Sequence, residues 1–265
     1  MIKIAIIGAS YLQLPLIRKA KDRGMQTHVF AWAANDAGEQ EADFFYPISI
    51  TKKDEILKKC REIGISGICS IASDLAMAAV NYVAAEMGLV GNSMSCMLAS
   101  TNKYKMRERF QQMGDPSVRY MLVKDNNEWK DIDLSLPVIV KPVDRSGSRG
   151  VTKVSRMDEL EPAVYGAFEQ GFKREALIEE YIEGDEYSIE TISWKGEHNI
   201  LAVTKKYTTN SPSFIEVAHM EPAQMDVRLT ERVKSIVVHA LNSLEIQYGA
   251  SHTEIKITKD ILNTD

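Results

Sequence analysis

The sequence predicts an α/β protein that takes on α+β character towards its C-terminus. Up to about residue 95, short apolar strands alternate with amphipathic helices, which is the pattern of βαβ units in a parallel sheet. Beyond residue 184 strands predominate. A length of 265 residues accommodates two or three domains at about 100–200 residues each. We therefore expect a parallel-sheet α/β domain at 1–95, a helix with a second module at 96–183 and a strand-rich third part at 184–265.

Apolar runs and glycine stops define the expected elements of the first domain. They are strands over residues 3–7, 26–30 and 67–70, a helix that ends at Gly24, a helix over 52–62 that ends at Gly64, and a helix from Leu75 to Glu86. The turn from Gly8 to Gln13 lacks the second and third glycines of a dinucleotide fingerprint. A nicotinamide or flavin site in this turn is therefore only a minor alternative.

Ser73 and Asp74 follow the third predicted strand, at the end of a parallel strand where ligands often bind. They are candidates for contact with a small substrate. Either residue is also a good N-cap for the following helix, and the two roles are compatible.

The same signals predict the elements of the rest of the chain. They are a helix over 101–112 before Gly114, strands over 118–123, 138–141, 151–154 and 176–182, a helix over 157–170 before Gly171, strands over 186–193, 200–206 and 214–220, an apolar-striped helix from Leu229 to Leu244, and a strand over 248–258. The basic run Lys103, Lys105, Arg107 and Arg109 is expected to be mostly a solvated helix face.

Composition excludes several classes of protein. A net charge of −5, with lysines and arginines scattered among more numerous acids, argues against a nucleic-acid partner. No stretch approaches the roughly 20 apolar residues that cross a bilayer, and the N-terminus lacks a signal-peptide pattern. Cys60, Cys69 and Cys96 form no CxxC pair, so we expect a reducing, cytoplasmic setting. The oligomeric state stays open, and a homodimer is compatible with the sequence.

The segment from Leu136 to Val151 is the first candidate for chemistry. An apolar strand delivers Lys141 into a loop with glycines at 147 and 150, which lets free backbone N–H groups turn towards anionic oxygens. Such a loop typically holds a nucleotide triphosphate. A plain hairpin has the same local pattern and is the alternative.

The second candidate is the acidic stretch from Ala176 to Ile189, where two strands meet at Gly184. Backbone groups near Tyr181 and Ile182 can pair with an adenine edge, while a carboxylate beyond the turn accepts ribose hydroxyls. The alternative is a solvated acidic turn.

The third candidate is the strand from Tyr248 to Thr258. Its alternation places His252, Glu254 and Lys256 on one face. Glu254 supplies the hard oxygen ligand that nucleotide-bound magnesium prefers. An exposed strand face is the alternative.

With these three segments the chain resembles the ATP-grasp superfamily, in particular its carbamoyl-phosphate-synthetase-like and amino-acid-ligase-like branch. The resemblance implies a Rossmann-like pre-ATP-grasp domain followed by a two-lobed fold that closes on ATP and Mg²⁺. It implies an ATP-dependent ligase that joins a carboxylate to an amine or thiol through an acyl phosphate. The substrates would be small molecules, amino acids among them.

The resemblance also assigns roles to residues. ATP would be bound by Lys103, Lys141, the loop residues Ser146, Gly147, Ser148 and Gly150, the adenine hinge Glu179, Glu180, Tyr181 and Ile182, and the ribose acceptor Glu186. Lys141 and Arg149 would act on phosphate, with an exposed loop arginine as the alternative for Arg149, and Lys206 would reach phosphate or substrate. Glu254 would hold the metal, and His219 and His252 are substrate candidates, with a packed strand histidine as the alternative for His219.

One part of the family pattern is missing from the sequence. The family continues from the Glu254 strand into a second strand with the motif Glu-x-Asn-x-Arg, whereas residues 261–265 contain Asn263 without that glutamate or arginine. Two expectations follow: either the fold is C-terminally truncated, or the protein is a nucleotide-binding or regulatory module that is catalytically silent.

Overall fold

The computed structural model describes residues 1–124, 128–209 and 215–258. These residues form two compact units, Met1–Met97 and Leu98–Asp265. Phe214, where a strand is expected to begin, and residues 259–265 with Asn263 lie outside the described residues. In the described part of the chain, no helix has the length and apolar character needed to cross a membrane.

The first unit alternates strands and helices. Its elements are β1 (Lys3–Ile7), α1 (Leu14–Asp22), β2 (Gln26–Phe30), α2 (Ala37–Glu41), β3 (Phe44–Tyr46), α3 (Lys53–Ile63), β4 (Gly67–Cys69), α4 (Asp74–Met87) and α5 (Met94–Thr101), the last of which runs into the second unit. The strands form a parallel sheet in the order β3-β2-β1-β4. This parallel sheet agrees with the expected α/β class.

Apolar side chains cover both faces of this sheet, as in other parallel sheets. Ile7 packs with Ile56 and Val83 on one face, and Ile6 packs with Ile17 on the other. The short elements α2 and β3 are not expected from the sequence. They have five and three residues, too few to show an apolar period, and α2 is fixed by Glu39, which accepts the Asp36 N–H at 3.1 Å.

The side chain of Gln13 fills the turn after β1. Gly8 has φ +102°, and a methyl group there would lie 2.9 Å from the Gln13 amide. That amide donates to the Ile71 carbonyl at 2.7 Å and accepts from the Ser10 hydroxyl at 2.7 Å. The space through which a pyrophosphate would approach Gly8 is therefore taken by protein.

The second unit contains two antiparallel sheets. Its elements are α6 (Lys103–Met113), β5 (Tyr120–Val123), β6 (Val138–Pro142), β7 (Thr152–Val154), α7 (Leu160–Gln170), β8 (Ala176–Glu180), β9 (Asp185–Trp194), β10 (Glu197–Thr208), β11 (Glu216–Met220), α8 (Val227–Ser243) and β12 (Tyr248–Ile257), with short 3₁₀ turns at Glu128–Asp131 and Met157–Glu159. The small lobe has the strand order β5-β8-β6-β7, and the large lobe has β11-β10-β9-β12.

Each sheet packs against one helix. In the small lobe Val140 and Ile178 join Val164 and Phe168 of α7 in one core. In the large lobe α8 packs against β10, and its residues Val233, Val237 and Leu241 are buried. The amphipathic periods read from the sequence therefore place these helices correctly.

The helix predicted over 101–112 is α6, and the separate helix α5 before it was not expected. The two helices are separated at Asn102, whose side chain accepts the Lys105 N–H at 3.0 Å. Asn102 has extended backbone angles, so α6 starts afresh behind a capping residue. This break places Lys103 at the first position of α6.

Candidate nucleotide-binding site

The loop after β6 has a fixed base. The Lys103 N–H donates to the Val143 carbonyl at 2.8 Å, and its ammonium group donates to the Arg145 carbonyl. Asp144 accepts the N–H groups of Phe172 and Lys173 at 3.0 and 2.9 Å. These bonds connect the start of α6, the loop and the end of α7.

The tip of this loop is exposed and has an unusual backbone. Gly147, Ser148 and Gly150 have φ of +69°, +54° and +69°. Ser146, Ser148 and Arg149 are exposed, and the described residues offer Arg149 no ion-pair partner. Left-handed residues in succession turn neighbouring N–H groups to one side, where an anion can bind them.

Lys141 leaves β6 towards two other charged side chains. Its ammonium lies 2.5 Å from one Glu179 oxygen, and Arg107 donates to the other at 2.7 Å. The Glu179 side chain is only 6% exposed. Glu179 is therefore a buried carboxylate shared by two cations, although the resemblance assigns it to an adenine hinge.

Burial and the neighbouring charges shift the pKa values of Lys141 and Glu179 in opposite directions. Burial lowers the pKa of Lys141, and the Glu179 carboxylate opposes the shift without cancelling it. Burial raises the pKa of Glu179, but Lys141 and Arg107 outweigh it, so this pKa lies below its ordinary value. The charge of Glu254 on β12 also raises the pKa of Lys141, as the smallest of these effects.

The hinge after β8, residues 180–182, has several backbone groups that already form hydrogen bonds and one N–H group that does not. The Glu180 N–H donates to Arg119 at 3.0 Å and the Tyr181 N–H donates to Pro137 at 3.2 Å. The Ile182 carbonyl accepts from Lys256 at 3.3 Å. Within the described ranges the Ile182 N–H has no partner, so it is the donor that this hinge can offer to a ligand.

Glu186, the expected ribose acceptor, lies in a row across the large-lobe sheet. Register places it between Lys206 of β10 and Lys256 of β12. Its carboxylate is 3.0 Å from the Lys256 ammonium. Because directly paired residues point to the same face, these three side chains share the face that also carries Glu254.

Lys206 is paired with two carboxylates on that face. Its side chain is only 6% exposed, lies 2.6 Å from Glu216 of β11, and also bonds to Glu254. Burial lowers the pKa of Lys206, but the two carboxylates more than offset this and raise it overall. Lys206 is thus held charged beside the expected metal ligand.

His252 is the second cation beside Glu254. It lies 3.6 Å from Glu254, beyond hydrogen-bond distance, and 2.7 Å from Glu190. Glu254, followed by Glu190, raises the pKa of His252 to about 9, while burial acts against the shift. His252 and Lys206 together hold the pKa of Glu254 at about 2.

The remaining candidates are His219 on β11 and Ser73 and Asp74 in the first unit. His219 pairs with Lys206 in the strand register, is half exposed, and contacts Glu216 at 3.1 Å. Ser73 belongs to the first unit, where its hydroxyl accepts the Ala76 N–H at 3.3 Å and caps α4. Asp74 is the first residue of that helix, so Ser73 has the capping role and Asp74 does not.

Several site residues were not expected from the sequence. Arg107 and Arg109 correct the prediction of a solvated basic face, since Arg107 bonds to Glu179 and Arg109 donates to the Ser243 carbonyl at 2.6 Å. Glu216 was also missed, and Lys256 was placed on the face of Glu254 but given no role. Only the alternation along β12, which places Lys256 on the face of Glu254, was a usable signal for one of them.

The donors present suit a magnesium-bound triphosphate. Mg²⁺ needs only one or two carboxylates when phosphates and waters complete its shell, and Glu254 is ionised and 62% exposed. Across the described ranges no three His, Cys, Asp or Glu side chains are grouped as a self-sufficient metal site. Lys103, Lys141 and Lys206 supply positive charge for the phosphates.

Comparison with known proteins agrees with this geometry. Residues 134–263 match the ATP-grasp domain family. Alanine–anticapsin ligase of Bacillus subtilis is 24% identical over 254 residues, 83% of this chain and 53% of that protein. D-alanine–D-alanine ligase of Hydrogenovibrio crunogenus is 26% identical over 172 residues, 61% of this chain and 51% of that protein. The chain thus spans about half the length of these curated relatives.

The fold is also that of solved structures. The L-amino acid ligase of Bacillus licheniformis superposes with a TM-score of 0.84 at 25% identity, covering 98% of this chain and 64% of that one. Biotin carboxylase of Campylobacter jejuni superposes with a TM-score of 0.80 at 18% identity, covering 98% and 63%, which is a likeness of fold alone. The family match over residues 134–263, together with the paired antiparallel sheets and the lysine-bearing loop, identifies this part of the chain as an ATP-grasp domain.

Proposed function

We propose that this chain binds Mg-ATP between its two antiparallel sheets and acts in an ATP-dependent ligase that joins a carboxylate to an amine or thiol. A carboxylate oxygen attacks the γ-phosphorus, and the bond to ADP breaks to give an acyl phosphate. The amine or thiol then attacks the acyl carbon, phosphate leaves, and the nucleophile loses a proton. The observations that carry the proposal are the lysine-bearing glycine loop after β6 and the face of the large-lobe sheet that presents Glu186, Lys206 and Glu254 together.

The protein's part in this chemistry is electrostatic. Lys141, Lys103 and the loop N–H groups offset charge on the phosphoryl group, as phosphoryl transfer requires. Lys206 reaches the same region from β10, and Arg149 extends from the exposed loop tip. Bound at Glu254, magnesium would supply charge neutralisation between phosphate oxygens.

The nucleoside has its own set of groups. The Ile182 N–H is the available hinge donor, and Glu186 is the acceptor for ribose hydroxyls. Glu180 and Tyr181 contribute backbone, because their N–H groups are already bonded within the lobe. Glu179 contributes indirectly by holding Lys141.

Amino acids are the proposed substrates. Support comes from the relatives, whose names specify D-alanine, alanine with anticapsin, and L-amino acids. His252, held charged by Glu190 and Glu254, is a candidate for a substrate carboxylate, and His219 lies on the same sheet. Ser73 and Asp74 of the first unit remain candidates for substrate contact. The three cysteines are free thiols, which fits the proposed cytoplasmic setting.

A second candidate function is nucleotide binding without turnover. Its supporting observation is that Glu254 is bonded to Lys206 and lies 3.6 Å from His252, so a metal must displace the lysine and compete with the charge of the histidine.

An ADP-release assay with ATP, Mg²⁺ and a panel of amino acids separates the two functions. Ligase activity predicts amino-acid-dependent ADP that is lost in Lys141→Ala. Lys234→Ala, which removes an exposed lysine paired with Glu231 on α8, is the matched control and should keep wild-type activity. ATP binding with no ADP under any amino acid would leave only the binding module. Absence of ATP binding would remove both.

A further inference from the structure

Lys256 contacts three different groups where the hinge meets β12. Its ammonium is 3.0 Å from Glu186 Oε1 and donates to the Ile182 carbonyl at 3.3 Å. It also lies 5.0 Å from the centre of the Tyr181 ring. Neither the loop lysines nor Glu254 makes these contacts.

We propose that Lys256 is a positioning residue that holds Glu186 and the hinge in the geometry that reads a ribonucleoside. The inference rests on the proposed function, because it concerns how the same nucleotide site selects its ligand. Lys256 acts through Glu186 and Ile182.

The first argument is charge. Glu183, Asp185 and Glu186 lie within four positions at the entrance to a site proposed for a polyanion. Asp185 is paired with Lys205 at 2.8 Å, and Glu186 is paired with Lys256. Without Lys256 the Glu186 carboxylate would repel phosphates and would be free to change rotamer.

The second argument concerns the separate roles of the two oxygens of the Glu186 carboxylate. The ion pair uses Oε1 of Glu186, so Oε2 keeps its lone pairs for donors. Two neighbouring hydroxyl groups of a ribose are such donors. A carboxylate held at one oxygen presents the other in a fixed direction, which lowers the entropy lost when the sugar binds.

The third argument is the hinge itself. Gly184 passes so close to the end of β12 that a methyl group there would lie 2.5 Å from the Ile257 carbonyl. Lys256 adds a bond to the Ile182 carbonyl from the same strand. The Tyr181 ring is held by Lys153 at 3.7 Å as well as by Lys256. The unbonded Ile182 N–H therefore projects from a segment fixed on both sides.

The test is equilibrium binding of ATP and 2′-deoxy-ATP, measured by calorimetry with Mg²⁺ and without an amino acid. The variants are Lys256→Met, which keeps length and removes charge, Lys256→Arg, Glu186→Gln, and the double variant Lys256→Met with Glu186→Gln. Lys205→Met is the matched control, since Lys205 pairs with the neighbouring Asp185. Circular dichroism and thermal unfolding establish that each variant is folded.

We expect Lys256→Met to weaken ATP binding by about tenfold, the effect of losing one charge-assisted contact of about 1.4 kcal/mol. It should also remove most of the preference for ATP over 2′-deoxy-ATP, as Glu186→Gln does, while Lys256→Arg restores part of it. In the double variant the loss of that preference should be no greater than in Glu186→Gln alone. Lys205→Met should bind both nucleotides as the wild type does.

Two failures are distinguishable. If the wild type binds no ATP, the proposed function is wrong. If the wild type binds ATP and Lys256→Met keeps both its affinity and its preference for the ribonucleotide, the positioning role is wrong and the proposed function stands. If Lys256 had a merely structural role, Lys256→Met would weaken the binding of ATP and of 2′-deoxy-ATP by the same factor. That outcome also overturns the inference.

Discussion

Lys141 and Glu179 lie 2.5 Å apart on neighbouring strands of the small lobe, and Arg107 approaches the same carboxylate from α6. The pair joins the lysine proposed to touch phosphate to the helix that begins at Lys103. Its position in the core means that the lysine is oriented before any nucleotide arrives. The contribution of this pair to stability can therefore be measured without a ligand.

Glu179→Ala should lower the free energy of unfolding by about 3 kcal/mol, because breaking a buried ion pair leaves uncompensated charge. Two cations lose their partner at once. The matched control is Glu180→Ala, whose side chain is 39% exposed and 3.7 Å from Arg119, and it should cost less than about 1 kcal/mol. Urea unfolding of both variants measures the difference. Equal small losses would mean that the pair is not buried as described.

The same carboxylate predicts a pH dependence. Burial raises the pKa of Glu179, but the charges of Lys141 and Arg107 leave it below the ordinary value. A lowered pKa in the folded state contributes stability above the unfolded value of about 4.3, and that stability is lost as the pH falls through the folded value. Unfolding free energies of wild type and Glu179→Gln, measured from pH 6 to about pH 3, should therefore converge towards the acidic end. Parallel curves would contradict the assignment.

The two loop glycines should differ in their tolerance of a side chain. Both have φ +69°, which costs an alanine about 1–2 kcal/mol. A methyl group at Gly147 meets open space, whereas one at Gly150 lies 2.9 Å from Gln170 Cβ and 3.0 Å from Pro142 Cγ. We expect Gly147→Ala to cost about 1 kcal/mol and Gly150→Ala about 3 kcal/mol, the excess coming from overpacking. Thermal and urea unfolding of the two variants compare them directly, and equal costs would argue against the crowding at Gly150.

Local patterns in the sequence predicted the strands and the loop that carry this candidate site. The strand before Lys141, the glycines after it and the alternation around Glu254 each depend on neighbouring residues, so the sequence contains the signal. The parallel sheet of the first unit follows from the same kind of signal.

The ion pairs could not be predicted in this way. Arg107 and Glu179 are 72 positions apart, and Lys206 and Glu254 are 48 apart. Their contact depends on strand order and register, which no local period encodes. The boundary between α5 and α6 at Asn102 was missed for a different reason, since a capping asparagine inside a run of helix formers looks like part of a helix.

Lys206 provides the last prediction, because it lies where a divalent cation would be attracted. Its ammonium bridges Glu216 and Glu254, and a metal bound at Glu254 would replace that contact. Lys206→Met removes the competing charge and leaves two carboxylates on one face of the sheet. In the absence of nucleotide we expect this variant to bind Mn²⁺, a paramagnetic substitute for Mg²⁺, about tenfold more tightly, since one unit charge at contact distance is worth roughly 1 kcal/mol or more near a protein surface.

Electron paramagnetic resonance of free Mn²⁺ measures this affinity, with Lys205→Met as the control on the adjacent position of β10. With ATP added the order should reverse, because Lys206 then contributes its charge to the phosphates and the variant lacks it. A variant that binds Mn²⁺ more tightly in the absence of nucleotide, and ATP more weakly, shows a pattern that simple loss of structure does not produce. If Mn²⁺ affinity is the same in wild type and Lys206→Met, then the ammonium and the metal do not share Glu254, and the metal site must be sought among other carboxylates of the chain.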